Sequence, residues 1–464
     1  MPTSSSASAR ISDNGRTSGN GRARSATCFG LLAGKRRRTQ HLIWAGDQTI
    51  LSLRFGQGCV MRALQGITIL DLTHMLSGPY GTMLLADMGA RTIKIEPPQT
   101  GEGTRRLLEH SEHYSRNGMG AYFLTLCRNK ESVALDLKSE KGLELFYRLA
   151  KHADVVVSNF GAGVTARLKI DYAHLSSINP RIITCSVSGF GESGPAPARP
   201  AFDLVAQGMG GGMSLTGYDD GEPLRAGIPI GDLAGGMFGA IGILSALQAR
   251  HLTGRGQHID ISMFDCQLSL LNYMATMYLM SGMAPGRSGN GHFVHVPYNT
   301  FRTKTRYLIV AVITDNFWTN LVELLQDDAL RRPEFLTQPG RLANKAFIEE
   351  RVQRAFQRET CEYWLDALAR CRIPAAPVND LEHAFSDPQA LARNMKVQVP
   401  LGDGRVVDEP GNPIKLSETY EDIYTAPPEI GAHTAAVLRE MLGLDDSALA
   451  ALAADGTIGL APGR

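Results

Sequence analysis

The sequence predicts an α/β protein with a large Rossmann-like domain on a parallel sheet and a smaller α/β domain. Three observations carry that prediction. From Leu64 onward, short apolar and β-branched runs alternate with helical stretches, which is the pattern of parallel strands joined by crossover helices. Two proline-rich breaks, near Pro285 and at Pro374–Pro377, set off the stretch between them and mark a second unit inserted between an early and a late part of the first. The 464 residues are enough for two or more cores. The expected division is a tail over 1–60, the first part of the large domain over 61–250, a small domain with its linker over 251–380, and a linker and return to the large domain over 381–464.

The tail is rich in Ser, Gly and Arg, carries Lys35-Arg36-Arg37-Arg38, and has only Asp13 and Asp47 as acids. Nothing in it repeats with a helix or strand period, so it is expected to be disordered. An organellar transit peptide, a basic arm and a leader upstream of a start at Met61 all fit it, and MRALQGITILDL favours the leader. The protein is then expected in the cytoplasm, or in an organelle matrix if the tail is a transit peptide.

The body begins with a strand at Ile67–Leu70, a helix over SGPYGTMLLADMG with Ser77 as its cap, and a strand at Arg91–Ile95. The cycle repeats with strands at Ser132–Leu137, Asp154–Ser158 and Arg181–Val187 and a helix over Lys141–His152. A long apolar helix spans Leu233–Ala249, followed by a strand and a helix in HLTGRGQHIDISMFDCQLSLLNYM. Beyond the loop SGMAPGRSGNGHFVHVP come a strand at Tyr307–Val312, a helix from about Asn316, charged helices through Arg341–Arg370 and a closing helix near His433–Leu442. No GxGxxG stands in the first turn, so a nicotinamide dinucleotide is not expected.

Composition narrows the chemistry further. With 47 basic residues against 46 acidic, nothing points to nucleic acid or a membrane surface. The seven scattered cysteines contain no CxxC and argue against a zinc site or a disulfide framework. His292 and His295 lack a third ligand, so no metal is expected. The apolar stretches are read as too short or too broken to cross a bilayer.

One carboxylate stands out. Asp232 follows the apolar run Ile228–Ile230 and opens the long helix, flanked by Gly231, Gly235 and Gly236. A helix start offers unpaired N–H groups and a positive dipole end, which would keep the acid ionised. A plain N-cap accounts for the residue alone, whereas the missing bulk points to something large approaching it. Asp265, in the next helix, reads as an ordinary first-turn charge. At strand ends lie Arg128-Asn129-Lys130, Leu135, Lys138, Asn159-Phe160 and Arg167, a grouping that suits phosphates and a stacked purine, although each alone fits a solvated rim.

The segments LQGITILDLTHMLSGPYGTMLLADMGARTIKIEPP, NKESVALDLKSEKGLELFYRLAKHADVVVSNFGAGVTARLKID, SGFGESGPAPARPAFDLVAQGMGG and AGIPIGDLAGGMFGAIG resemble, in order, those of the class III CoA-transferases. The resemblance covers the chain from about Leu64 onward. It implies an interlocked homodimer of the fold described above and makes Asp232, in GDLAGG, the nucleophile. It implies CoA contacts at Leu135, Lys138, Asn159, Phe160 and Arg167. Phe202, Gly231, Gly235 and Gly236 then lie around the substrate, where glycine N–H groups would stabilise oxyanions. A CoA thioester and a carboxylic acid are the implied substrates, with no permanently bound cofactor.

The same fold hosts 2-methylacyl-CoA racemases, which pair the aspartate with a histidine in a G-H-D triplet. This chain has Ala201-Phe202-Asp203 there, and Phe202 cannot transfer a proton. A CoA-binding protein without turnover is the remaining alternative. RSGNGHFVHVPYNTF and IPAAPVNDLEHAFSDPQ look like the branch that uses succinyl-CoA with dicarboxylates. A distal carboxylate would call on Arg225, Arg287 or Arg302.

Overall fold

The structure is a computed structural model that describes residues 61–419 and 422–461; the expected tail over 1–60 lies outside them. In chain order the elements that position the site are β1 (Thr68–Asp71), α1 (Ser77–Asp87), β2 (Arg91–Glu96), β3 (Lys130–Leu135), α2 (Glu140–Ala150), β4 (Val155–Ser158) and β5 (Ile183–Ser188). They continue with α3 (Asp203–Met209), α4 (Ile230–Thr253), β6 (His258–Ser262), α5 (Met263–Leu270) and α6 (Tyr273–Ser281). Three strands, β7 (Tyr298–Arg302), β8 (Tyr307–Ala311) and β9 (Ala375–Pro377), form a separate sheet, and β10 (Ile458–Gly459) closes the described chain.

The large sheet runs β10-β3-β2-β1-β4-β5-β6. All its pairs are parallel except β10 with β3, where Ile458 stands opposite Leu135. A parallel sheet needs cover on both faces, and the period of two along each strand provides it. Ile69, Val155, Val157, Ile183 and Val187 face Leu85 of α1 and Ala240, Ile243 and Leu247 of α4. Leu70, Ile93, Val133 and Val156 face Leu145, Phe146 and Leu149 of α2, together with Val437, Leu438 and Leu449 from the C-terminal helices. The sheet continues through β6, past the boundary expected at residue 250.

The smaller core is distinct. Phe301, Leu308 and Val310 of its three-stranded sheet pack on Trp318, Leu321, Ile348, Val352, Phe356 and Leu368. Arg341, fully buried, holds this unit together by donating to the carbonyls of Val296 and Phe335 at 3.0 and 2.9 Å and pairing with Asp315 at 2.6 Å.

α4 corrects the reading of the apolar segments. At 24 residues it is long and apolar enough to cross a membrane, but its glycine stripe lies against α1 and the sheet. A Cβ on Gly239 would meet Val187 at 3.6 Å and one on Gly242 would meet Ile259 at 3.0 Å.

Candidate active site

Asp232 is the third residue of α4 and is half-buried. Pro229, not Asp232, occupies the cap position, and the N–H groups expected to be free are all engaged. Ile230 donates to the Ile228 carbonyl at 2.8 Å and Leu233 to that of Pro229 at 3.0 Å. Gly231 and Asp232 donate to Oδ1 of Asp203, at 2.8 and 3.4 Å. The helix is therefore capped by an acid brought from α3 rather than by its own sequence.

That arrangement also corrects the electrostatics. The Asp232 carboxyl is pushed up to about 6, first by burial and then by the negative charge of Asp203, so the helix end does not lower it. The group is still roughly nine-tenths ionised at pH 7.

The glycines do not open space for a ligand. A Cβ on Gly235 would lie 2.5 Å from Ser77 Oγ, one on Gly236 2.4 Å from the Ser77 carbonyl oxygen, and one on Gly81 2.6 Å from that of Gly236. They let α1 and α4 cross with their backbones in contact. The N–H groups of Gly235 and Gly236 fall within the helical ladder, and that of Gly231 faces Asp203, so none of the three is an oxyanion donor as placed. Ser77 does not cap α1, whose cap position is Leu76; its hydroxyl donates to the Asp232 carbonyl at 2.9 Å.

The residues expected to hold CoA divide into three groups. Asn159 and Phe160 follow β4 and grip the loop after β1: the Asn159 amide accepts from His74 N–H at 2.8 Å and donates to its carbonyl at 2.6 Å, and the rings of Phe160 and His74 lie 5.6 Å apart. Burial first, and Lys94 second, pull the His74 imidazole down to about 4, so it is neutral at pH 7. This loop leads directly into Ser77. Lys138 and Arg167 are exposed beyond β3 and at the end of the short helix Val164–Arg167. Leu135, at 1% exposure, is a core residue, so its side chain is closed to any ligand.

The basic run before β3 is also not a phosphate site. Arg128 is enclosed by Asp87 at 2.8 Å and Glu409 at 3.1 Å, with the Tyr424 ring 4.8 Å away. Lys130 is buried against Asp71 at 2.9 Å and donates to Thr82 at 2.8 Å. Burial alone would raise Asp71, but Lys130, Lys94 and the Thr73 hydroxyl outweigh it and hold the carboxyl well below the usual carboxylate range. Lys94 donates to the Thr73 carbonyl at 2.8 Å, and Arg105 pairs with Glu96 at 2.6 Å.

Of the arginines considered for a distal carboxylate, Arg287 is committed to the carbonyls of Tyr218 and Gly221, at 2.9 and 2.6 Å. Arg225 and Arg302 are exposed. His292 accepts from the N–H groups of Val294 and His295 through Nδ1, which folds the glycine-rich loop on itself. Asp265 lies in the first turn of α5, whose cap is Ser262. Phe202 is 69% exposed and directly precedes Asp203. Asp203 and Ser77, which touch the turn that carries Asp232, and His74, on the loop leading into Ser77, hold contacts that sequence reasoning does not reveal. The adjacency of Phe202 and Asp203 was the one local hint, because the contacts span 28 residues or more.

The sequence model of CoA-transferase family III matches residues 64–434. The acetyl-CoA:oxalate CoA-transferase of Acetobacter aceti is 38% identical over 379 residues, covering 81% of this chain and 95% of that protein. The succinate–glutarate CoA-transferase of Agrobacterium fabrum is 36% identical over 390 residues, covering 83% and 97%. A crystal structure of a CAIB/BAIF family protein from Brucella suis superimposes with a TM-score of 0.73 at 36% identity, covering 82% of this chain and all of that one.

Proposed function

The chain belongs to CoA-transferase family III, and from that membership we propose that it moves coenzyme A from an acyl-CoA donor, succinyl-CoA or a close analogue, to a dicarboxylic acid, with Asp232 as nucleophile. The observation that carries the reading is the carboxylate of GDLAGG, half-buried on a first helical turn and ionised at neutral pH. The relatives named for oxalate and glutarate support the dicarboxylate acceptor.

In the first step an Asp232 oxygen attacks the thioester carbonyl carbon. A C–O bond forms, the C–S bond breaks, and CoA leaves as the thiolate, with the mixed anhydride of Asp232 and the donor acyl group remaining. The thiolate then attacks the Asp232 carbonyl carbon of that anhydride, which releases the donor acid and leaves an aspartyl-CoA thioester. The acceptor carboxylate attacks this thioester, and the freed thiolate attacks the acceptor's carbonyl carbon, regenerating Asp232. The anhydrides are the more activated intermediates, and each pair of steps exchanges one CoA thioester for another of similar energy, so the CoA thioester is a substrate and no bound cofactor is invoked. Phe202, next to Asp203, offers no proton for the alternative racemase chemistry.

We further propose that the chain works as a homodimer, interlocked as in the family. Tyr273, Leu279, Met280 and Met283, on and just after α6, are more than half exposed; apolar surface left open along one short segment suits a second copy.

The test is peptide mass spectrometry after incubation with succinyl-, acetyl- or formyl-CoA without acceptor. A CoA-sized adduct on the Asp232 peptide, discharged by a dicarboxylate, is expected. Transfer by Asp232→Asn at the wild-type rate would remove the assignment.

A further inference from the structure

Asp203 accepts from two of the N–H groups in the first turn that carries Asp232. Its Oδ1 accepts from both Gly231 and Asp232. A Cβ on Gly231 would come within 3.0 Å of that oxygen and 3.2 Å of the Asp203 carbonyl oxygen, so glycine is what lets α3 approach so closely. The second oxygen, Oδ2, is held by Nε2 of Gln207 at 2.7 Å. Gln207, 2% exposed, accepts from Ala226 N–H at 2.9 Å through its own carbonyl. Gln267, also buried, donates to the Ile230 carbonyl at 3.4 Å. One buried amide thus ties Asp203 to the segment that feeds α4, and another holds the start of the helix itself.

We propose that Asp203 is a positioning residue for the transfer reaction: its carboxylate caps the turn that bears Asp232 and keeps a second negative charge beside the nucleophile, with Gln207 fixing its orientation. The inference rests on Asp232 being the nucleophile. A neutral cap such as serine would satisfy the same N–H groups. An anionic cap does more, because oxyanion nucleophilicity rises with basicity and a neighbouring charge raises basicity. Asp203 takes up no proton during the attack; the bond that forms is Asp232 oxygen to acyl carbon, and the bond that breaks is carbon to sulfur. The other titratable side chains on elements packed against α4 are Tyr80 and Asp87 on α1, Cys185 on β5, His258 and Asp260 on β6, and Asp265 and Cys266 on α5. Asp203 is the charged group among them that acts on Asp232.

The experiment follows the rate of CoA adduct formation on the Asp232 peptide, with succinyl-CoA as probe, from pH 5 to 8 in the full chain. Wild type is expected to show an acid limb near pH 6. Asp203→Asn keeps an oxygen for the two N–H groups and removes the charge; it is expected to slow the reaction about tenfold at pH 7.5 and move the limb to lower pH. Asp203→Ser, a neutral cap of ordinary type, is expected to move the limb in the same way and serves if the asparagine variant does not fold. Gln207→Leu leaves the charge in place and is expected to slow the reaction with the limb unmoved. Wild-type pH curves in the folded Asp203 variants would overturn the inference while leaving Asp232 as the nucleophile. Absence of any adduct on Asp232 in the wild type would overturn the nucleophile assignment and the inference with it.

Discussion

Asp71 and Asp232 are both withdrawn from solvent, one at the end of β1 and the other in the first turn of α4, and what faces each of them differs in sign. Asp71 meets Lys130, Lys94 and two threonine hydroxyls, and its charge is held at all but strongly acidic pH. Asp232 meets Asp203 and is pushed up to about 6. The first arrangement stabilises a charge; in the second, no cation among the described residues compensates the carboxyl. Burial is common to both, so it is the facing charge that separates a carboxyl held low from one pushed up.

The sharpest way to test that contrast is to remove each acid's function. Asp232→Asn is expected to lower turnover by at least about 10³-fold while leaving the melting temperature unchanged or higher, because a like-charge contact with Asp203 is lost. A clear drop in melting temperature would place Asp232 among the structural acids. Lys130→Met should do the reverse: unfolding in denaturant is expected to show a loss of about 3–5 kcal/mol, because Asp71 is left buried and charged. If that variant unfolds like wild type, the network around Asp71 is not holding the sheet together.

Smaller effects come from the contact between α1 and α4. Gly236→Ala puts a methyl where the Ser77 carbonyl stands and is expected to cost about 1–3 kcal/mol, with activity falling too because Ser77 also holds Asp232. Gly161→Ala, with nothing within 4 Å, is the neutral control, and equal melting temperatures for the two would dissolve the packing argument.

The smallest effect is the pH dependence of stability. Asp71 has a lowered folded pKa, so its contribution is complete above the ordinary aspartate range and is lost as pH falls through the folded value. Asp232 has the opposite sign: with its folded pKa raised to about 6, the native state binds the extra proton, and stability declines as pH rises from the ordinary aspartate value toward 6. Subtracting the Asp232→Asn curve from that of the wild type should isolate this decline, and a flat difference would contradict the electrostatic account of the site.

Local pattern was enough for the α/β class and the strand–helix alternation from Leu64 to Val187, because periods of 2 and 3.6 are written in neighbouring residues. It was also enough to single out Asp232 as an acid at a helix start among glycines. The roles of those neighbours depended on chain segments far away in sequence. Gly235 and Gly236 read as open space, and only the crossing of α1 shows that the space is filled by Ser77. Leu135 and Lys130 read as strand-end contacts, but β10 covers the first and Asp71 claims the second. The cap of α4 comes from Asp203, 28 and 29 residues before the N–H groups it accepts. A side chain's type and local spacing are properties of the chain alone, whereas the charge that faces it and the volume left around it belong to the packed molecule, and the role proposed for Asp232 rests on those two quantities.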